Sequence, residues 1–401
     1  MEQMFPNIVK TAELPSQEGD EAKLENERGF DIDVNVTDHS PDNPETGSPE
    51  NLRKLYADVA KDGITRMRYD FHWGKLEKES GEFDQELMER YKDAKSAQEE
   101  AGLKEPIIIL SNPPEWAKKL YQEGKKEEFY DEFRKYAEEV KNALEQAGGK
   151  KVSTIQILNE LNIKGYTPVA VEDIPELCKI TREVFKEYNP DLKLSATVIA
   201  SNTAKFAGED IKTFLPKFKK IKDNFDKIVV DYYPGMWHYP LKDVDKKLSL
   251  SWPPTKEIFK QLVKNTDLLK EVFEEVATWG KEYELGETGL PTKLPWGGEQ
   301  TQHYFYSAFF WQFKHMMNDF KKRGLKLPSA VGLYEAIDEP PRDLAGKIKD
   351  LTPFPEYKFG MRTGEGKRKE ILQPTGGKEG MPSQLSEIIH YLRSPLKENK
   401  K

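Results

Sequence analysis

Two glutamates pose the chemical question. Glu160 closes TIQILNE, a short β-branched run that ends in Asn159-Glu160. Glu287 closes KEYELGE and is followed by Thr288-Gly289, a pair suited to a tight turn. A carboxylate at the end of an apolar strand is poorly explained by packing, since carboxylates are seldom buried without a partner. Two carboxyls brought face to face can divide labour. Like charges resist sharing a site, so one is pushed toward its protonated form while the other stays ionised. Glycosidic bond cleavage requires that division: a protonated acid for the leaving oxygen, and a carboxylate that attacks the anomeric carbon or activates water.

Such a pair needs a scaffold that brings distant strand ends together. Short strand-like runs recur along the chain: 29–36, 64–73, 105–110, 154–160, 192–200, 226–235, 281–287 and 330–340. Helical stretches alternate with them, over 48–63, 83–102, 125–147, 171–189, 210–220, 255–278 and 300–323. Ser48 and Pro49 suit a helix start, Gly63 and Gly102 suit helix ends, and Lys270 with Glu274 forms an i,i+4 pair. Near-continuous apolar strands alternating with helices predict an α/β fold of the (β/α)8 TIM-barrel type. Residues 1–26 read as a flexible polar arm. Residues 27–401 read as one barrel with a C-terminal extension, closed by an amphipathic helix over 383–395.

In this architecture chemistry gathers at the C-terminal ends of the strands. Those ends carry Arg68, Asp70, His72 and Trp73; Asn112 and Trp116; Asn159, Glu160 and Asn162; Tyr232, Tyr233, Trp237 and His238; Glu287; and Tyr334, Glu335, Asp338 and Glu339. An arginine beside the attacking carboxylate would keep it ionised. Aromatic faces stack on the apolar faces of sugar rings, and Asn, His and Asp meet the hydroxyl rim. Trp73, Trp116, Trp237, Trp252 and Trp296 are candidate platforms, whereas Trp279 and Trp311 read as core. The aromatic run Tyr304 to Phe313 reads as a helix face packed on the barrel.

Charge and cysteine content narrow the classes. The net charge of −8 argues against nucleic acid, whose phosphates call for a basic field. Cys178 is the only cysteine, so no intrachain disulfide forms, and it reads as a helix packing residue. No CxxC, HExxH or Cys-His spacing points to zinc, and neither metal nor cofactor is expected. No stretch approaches a membrane span. No signal peptide is visible, and cytoplasmic location or secretion with a removed leader both fit. A monomer acting on a β-linked carbohydrate is the expected partnership.

These segments resemble the retaining β-glycosidases of glycoside hydrolase clan A over about residues 27–340. LNELN resembles their Asn-Glu signature after strand four. GETGLP resembles the nucleophile segment of β-1,3-glucanases, which reads Gly-Glu-Thr-Gly-Trp-Pro. YEAIDEP resembles strand eight of the same enzymes, and VVDYYPG resembles strand six of that family and of endo-β-1,4-galactanases. MRYDFHW resembles the arginine-bearing second strand of the clan. The resemblance implies Glu160 as acid/base, Asn159 on the sugar 2-hydroxyl, Glu287 as nucleophile and Arg68 as its partner. Glu335 is the rival nucleophile; with Asp338 and Glu339 it otherwise orients neighbours or binds outlying hydroxyls. Tyr233 or Tyr232 donates to the nucleophile, and parity with Asp231 favours Tyr233. Leu290 replaces the glucanase tryptophan, so a stacking surface is either missing or supplied by Trp296. The implied activity is double-displacement hydrolysis of a β-linked glucan-type saccharide. A binding barrel without catalysis and a transglycosylase using the same residues are the alternatives.

Overall fold

The computed structural model describes residues 30–37, 39, 43, 46–201, 208–233, 266–290, 292, 298–336, 361–362, 368–374 and 382–396. Eight parallel strands close a barrel in sequential order: β1 (Asp31–Val36), β2 (Arg66–His72), β3 (Ile107–Ser111), β4 (Thr154–Ile157), β5 (Lys193–Ile199), β6 (Lys227–Asp231), β7 (Glu282–Glu287) and β8 (Ala330–Leu333). This is the (β/α)8 TIM-barrel fold. Besides a single turn at Trp73–Leu76, the described α-helices are α1 (Pro49–Lys61), α2 (Gln85–Glu100), α3 (Glu115–Gln122), α4 (Lys126–Ala147), α5 (Ile174–Phe185), α6 (Ile211–Ile221), α7 (Thr266–Ala277), α8 (Gly298–Lys322) and α9 (Gln384–Arg393). None of them is long and apolar enough to cross a membrane.

Local chemistry sets the helix limits. Ser48 Oγ accepts from the Asn51 amide at 3.2 Å and caps α1, with Pro49 in its first turn. Gly63 and Gly102 take the left-handed conformation just after α1 and α2, where a side chain would be strained. The aromatic run of α8 buries Phe305, Tyr306, Phe309, Phe310 and Phe313 against the barrel. Trp279 is buried, but Trp311 is only half-buried and lies over His315. The expected Lys270–Glu274 pair gives way to contacts between helices. Lys270 reaches Asp319 of α8 at 3.2 Å, and Glu274 pairs with Arg323 just past its end. The partner helix offers opposite charges that make these bridges in place of the local pair. Cys178 is buried within α5, and burial pushes its thiol up to about 12.

The barrel interior is polar along its length. Near the N-terminal end of the strands, Arg66 binds Asp33 through Nε at 3.0 Å and Nη2 at 2.6 Å, and Lys227 Nζ donates to Glu284 Oε2 at 2.8 Å. Arg66 Nη2 lies 3.7 Å from the same Glu284 oxygen, so two buried cations face two buried carboxylates. Such a cluster holds only while complete, since removing one member leaves a buried charge uncompensated at about 3–5 kcal/mol. Above it lie Asn35, Arg68, Gln156 and Thr197, and above those the carboxylates described next.

β7 departs from strand alternation at one residue. Val230 pairs with Leu285, but Asp231 pairs with Glu287, so Gly286 is an inserted residue. This bulge turns Glu287 to the same face as Glu284, which strict period-two alternation would not allow. A Cβ on Gly286 would lie 2.1 Å from Val229 Cγ1 and 2.6 Å from Asp231 Oδ1; one on Gly332 of β8 would lie 1.8 Å from the Gly286 carbonyl oxygen. Glycine at both positions is what lets β7 and β8 approach and close the ring.

Candidate active site

Glu287 receives three donors. Arg68 Nη1 and Asn35 Nδ2 bind Oε1, the amide at 2.7 Å, and Tyr233 Oη donates to Oε2 at 2.5 Å. Arg68 is itself fixed by Gln156 Oε1, at 2.8 Å from Nη2 and 3.2 Å from Nε, and by Asn159 Oδ1 at 3.3 Å. Gln156 Nε2 in turn donates to Asn159 Oδ1 at 3.1 Å. The guanidinium therefore joins the Glu287 carboxylate to the Asn-Glu turn, with each fork position engaged.

Glu160 sits across from it on strained backbone. Leu158 and Glu160 both have positive φ, 57° and 44°, in a turn that begins as β4 ends. Non-glycine residues adopt this region at a cost of about 1–3 kcal/mol each, and only where surrounding structure enforces it. Here the Leu161 amide is held by the Thr197 carbonyl at 2.8 Å. Asn162 bridges to β5 and beyond it, accepting from the Ile199 amide at 2.9 Å and donating to the Ile199 and Glu209 carbonyls. The turn carries the buried Glu160 carboxyl toward Glu287. Burial and the charge of Glu287 push Glu160 up to about 8, against a smaller opposing pull from Arg68.

A third carboxyl joins the pair. Carboxylate oxygens of Glu160, Asp231 and Glu287 lie within 4.8 Å of one another, the spacing that could hold a cation among the described residues. Arg68 already supplies positive charge at Glu287, so a divalent ion would compete with an existing ion pair. Asp70, two residues on from Arg68 along β2, is pushed up to about 6 by burial, with Arg68 opposing.

The other sequence candidates fall into clear groups. Tyr233 faces the site, whereas Tyr232 points outward and stacks on Phe309 at 6.2 Å. Glu335 is buried and accepts from Thr37 Oγ1 at 2.6 Å; it lies outside the carboxylate trio. Tyr334 packs edge-on against Tyr233 at 5.8 Å, adding an aromatic wall beside the tyrosine that donates to Glu287. His72 is half-buried; its Nδ1 accepts from the Lys75 amide and so starts a one-turn helix. Asn112 has φ of 52° and donates to Ser111 Oγ at 3.1 Å.

Trp73 corrects an expectation. It is 1% exposed, stacks on Tyr136 at 4.9 Å and 5°, and donates through Nε1 to Glu77 at 2.5 Å. The strand has already turned into a helix at this residue, which rotates the indole into the layer between barrel and α4; it offers no face to a sugar. Trp116 lies edge-on to Trp73 in the same cluster. Trp237, His238, Trp252, Trp296, Asp338 and Glu339 lie outside the described residues.

Asn35, Gln156 and Asp231 were missed as site residues by sequence reasoning. Asp231 shares the parity of Tyr233, which was the one available signal.

No protein-family model and no curated protein matches the chain. Solved structures share its fold at low identity. A β-glycosidase matches with TM-score 0.57 and 15% identity, over 94% of this chain and 99% of that one. GH5_18 from Streptomyces cattleya, in complex with Manβ1-4GlcNAc, matches with TM-score 0.60 and 14% identity, over 92% of this chain and 83% of that one. The hyperthermostable endo-1,4-β-D-mannanase from Thermotoga petrophila matches with TM-score 0.57 and 15% identity, over 91% and 99%.

Proposed function

We propose that this protein is a retaining β-glycoside hydrolase that cleaves β-linked glucan-type saccharides by double displacement. The observation that carries the reading is the inequivalence of two facing carboxyls. Glu160 is buried and pushed up to about 8, as a general acid must be near neutral pH, while Glu287 accepts from Arg68, Asn35 and Tyr233. Their oxygens lie within 4.8 Å. Retaining enzymes hold the two carboxyls about 5–5.5 Å apart, whereas inverting enzymes leave about 6.5–9.5 Å for a water.

In this mechanism Glu160 donates its proton to the glycosidic oxygen as Glu287 attacks the anomeric carbon. The C–O bond to the leaving group breaks and an ester to Glu287 forms. Glu160, now a carboxylate, takes a proton from water, whose oxygen attacks the same carbon and releases Glu287. Asn159, oriented by Arg68 and Gln156, would meet the sugar 2-hydroxyl. The barrel neighbours named as glycosidases and a mannanase support a carbohydrate substrate by fold likeness.

The direct test is a panel of aryl β-glycosides and β-linked oligosaccharides with wild type and Glu287→Gln. Turnover that the variant loses, with its fold intact by circular dichroism, supports the reading. Sugar binding without turnover on any member would move the assignment to a binding barrel.

A further inference from the structure

Asp231 is a carboxyl group that the two-glutamate mechanism does not use. It is 0% exposed at the end of β6. Neither of its side-chain oxygens has a hydrogen-bond partner among the described residues. Yet a carboxylate oxygen of Asp231 lies within 4.8 Å of both Glu160 and Glu287. The chain makes room for it: the bulge residue Gly286 presents only hydrogen where a Cβ would come 2.6 Å from Asp231 Oδ1. A buried carboxyl with no donor lacks what stabilises an ionised one.

Resting on the hydrolase reading for its consequence, we propose that Asp231 is a positioning residue, a third carboxyl that keeps its own proton beside the catalytic pair. The site then holds one negative charge against one cation, Arg68, and two protons distributed over three carboxyls. The groups facing Asp231 are Glu287 and Glu284 from β7, Arg68 from β2, Glu160 from the turn after β4, and Tyr233 from its own segment. Burial and the charge of Glu287 raise Asp231, and Arg68 opposes them.

Charge movement during the reaction preserves this state. When Glu287 becomes an ester its negative charge is gone, and Glu160 has become the carboxylate. The single negative charge moves from one neighbour of Asp231 to the other. Asp231 stays beside it throughout and has no step in which losing a proton is favoured. Its neutral bulk fills the space beside the pair without adding a charge that would hold Glu160 protonated when it must act as a base.

Infrared difference spectra across an alkaline titration test this with a readout that does not need activity. From about pH 7 upward, past the range in which Asp70 titrates, wild type should lose two buried carboxylic-acid carbonyl bands as pH rises. Asp231→Asn should lose one, and Glu160→Gln should lose the other. Loss of the same two bands in wild type and Asp231→Asn would overturn the proposal. A kinetic arm separates charge from shape. With Asp231 neutral, Asp231→Asn leaves the alkaline limb of kcat/KM within about half a pH unit of wild type, whatever its amplitude. With Asp231 ionised, the same variant would lower that limb by more than about one pH unit, which also overturns the proposal. If no glycoside is turned over, the hydrolase reading fails while the infrared result still decides the state of Asp231.

Discussion

Arg68 and Glu287 meet inside the barrel although 219 residues separate them in the chain. The contact is buried on both sides, with side-chain exposures of 1% and 6%. It joins β2 to β7, strands that do not pair with each other, and through Gln156 and Asn159 it reaches the turn that carries Glu160. One guanidinium thus fixes the position of the Glu287 carboxylate relative to the turn that carries Glu160. Neither strand could supply that relation alone.

Replacing Arg68 tests the link. Arg68→Leu strands the Glu287 charge with two neutral donors and should destabilise the fold by about 3–5 kcal/mol. Its kcat/KM should fall roughly 100- to 1000-fold, the scale of losing one preorganised electrostatic partner. Arg68→Lys should restore little of it, because a point charge cannot serve Glu287, Gln156 and Asn159 together. Chemical denaturation and steady-state kinetics on the two variants separate stability from rate.

On the proposed mechanism Glu160 sets the alkaline limit of activity. Its carboxyl is pushed up to about 8 by burial and by the charge of Glu287. If the protonated form is the acid that the proposal requires, kcat/KM should hold through neutral pH and fall as pH rises through about 8. An alkaline limb below about pH 6 would mean that Glu160 is not the acid.

The same group should make the protein less stable at high pH. Unfolded, Glu160 titrates near 4.5; folded, near 8. The folded state therefore binds more protons between these values, and its stability falls as pH rises through that window. Glu160→Gln removes the penalty. It should match wild type below about pH 4.5 and exceed it at pH 8 by a few kcal/mol, since each pH unit between the two values is worth about 1.4 kcal/mol. Denaturation midpoints at the two pH values give the comparison, and a variant less stable than wild type at pH 8 would contradict the assigned burial.

Gly332 and Gly286 close the barrel by their lack of a side chain. Gly332→Ala places a methyl group against the Gly286 carbonyl, which is backbone and cannot rotate away. Gly286→Ala meets Val229 and Asp231, whose side chains can shift. The first variant should be the more damaging, with little folded protein recovered, while the second should lose about 1–3 kcal/mol or somewhat more. Thermal melts order the two.

The fold was legible because parallel barrel strands are short apolar runs separated by helices, and capping residues such as Ser48 mark where the helices begin. The carboxylate pair was legible because Glu160 and Glu287 each end such a run. What hid the rest is physical. The bulge at Gly286 shifts side-chain parity, so alternation alone would turn Glu287 away from the site. The positive φ at Leu158 and Glu160 is imposed by tertiary contacts against residue preference. Trp73 reads as a strand-end aromatic until the chain turns helical beneath it. Asp231 looks like any strand carboxylate, and what sets it apart is that its oxygens find no donor among the described residues.

The stereochemistry of the first-formed product tests the double displacement most directly. Proton NMR of the hydrolysis of a susceptible aryl β-glycoside, followed before mutarotation, reports it. Attack by Glu287 and then by water inverts the anomeric centre twice, so the β-anomer should appear first and Glu287→Gln should release none. An α-anomer appearing first would contradict the account, because it would mean that water attacks directly across a gap that Glu160 and Glu287 do not leave.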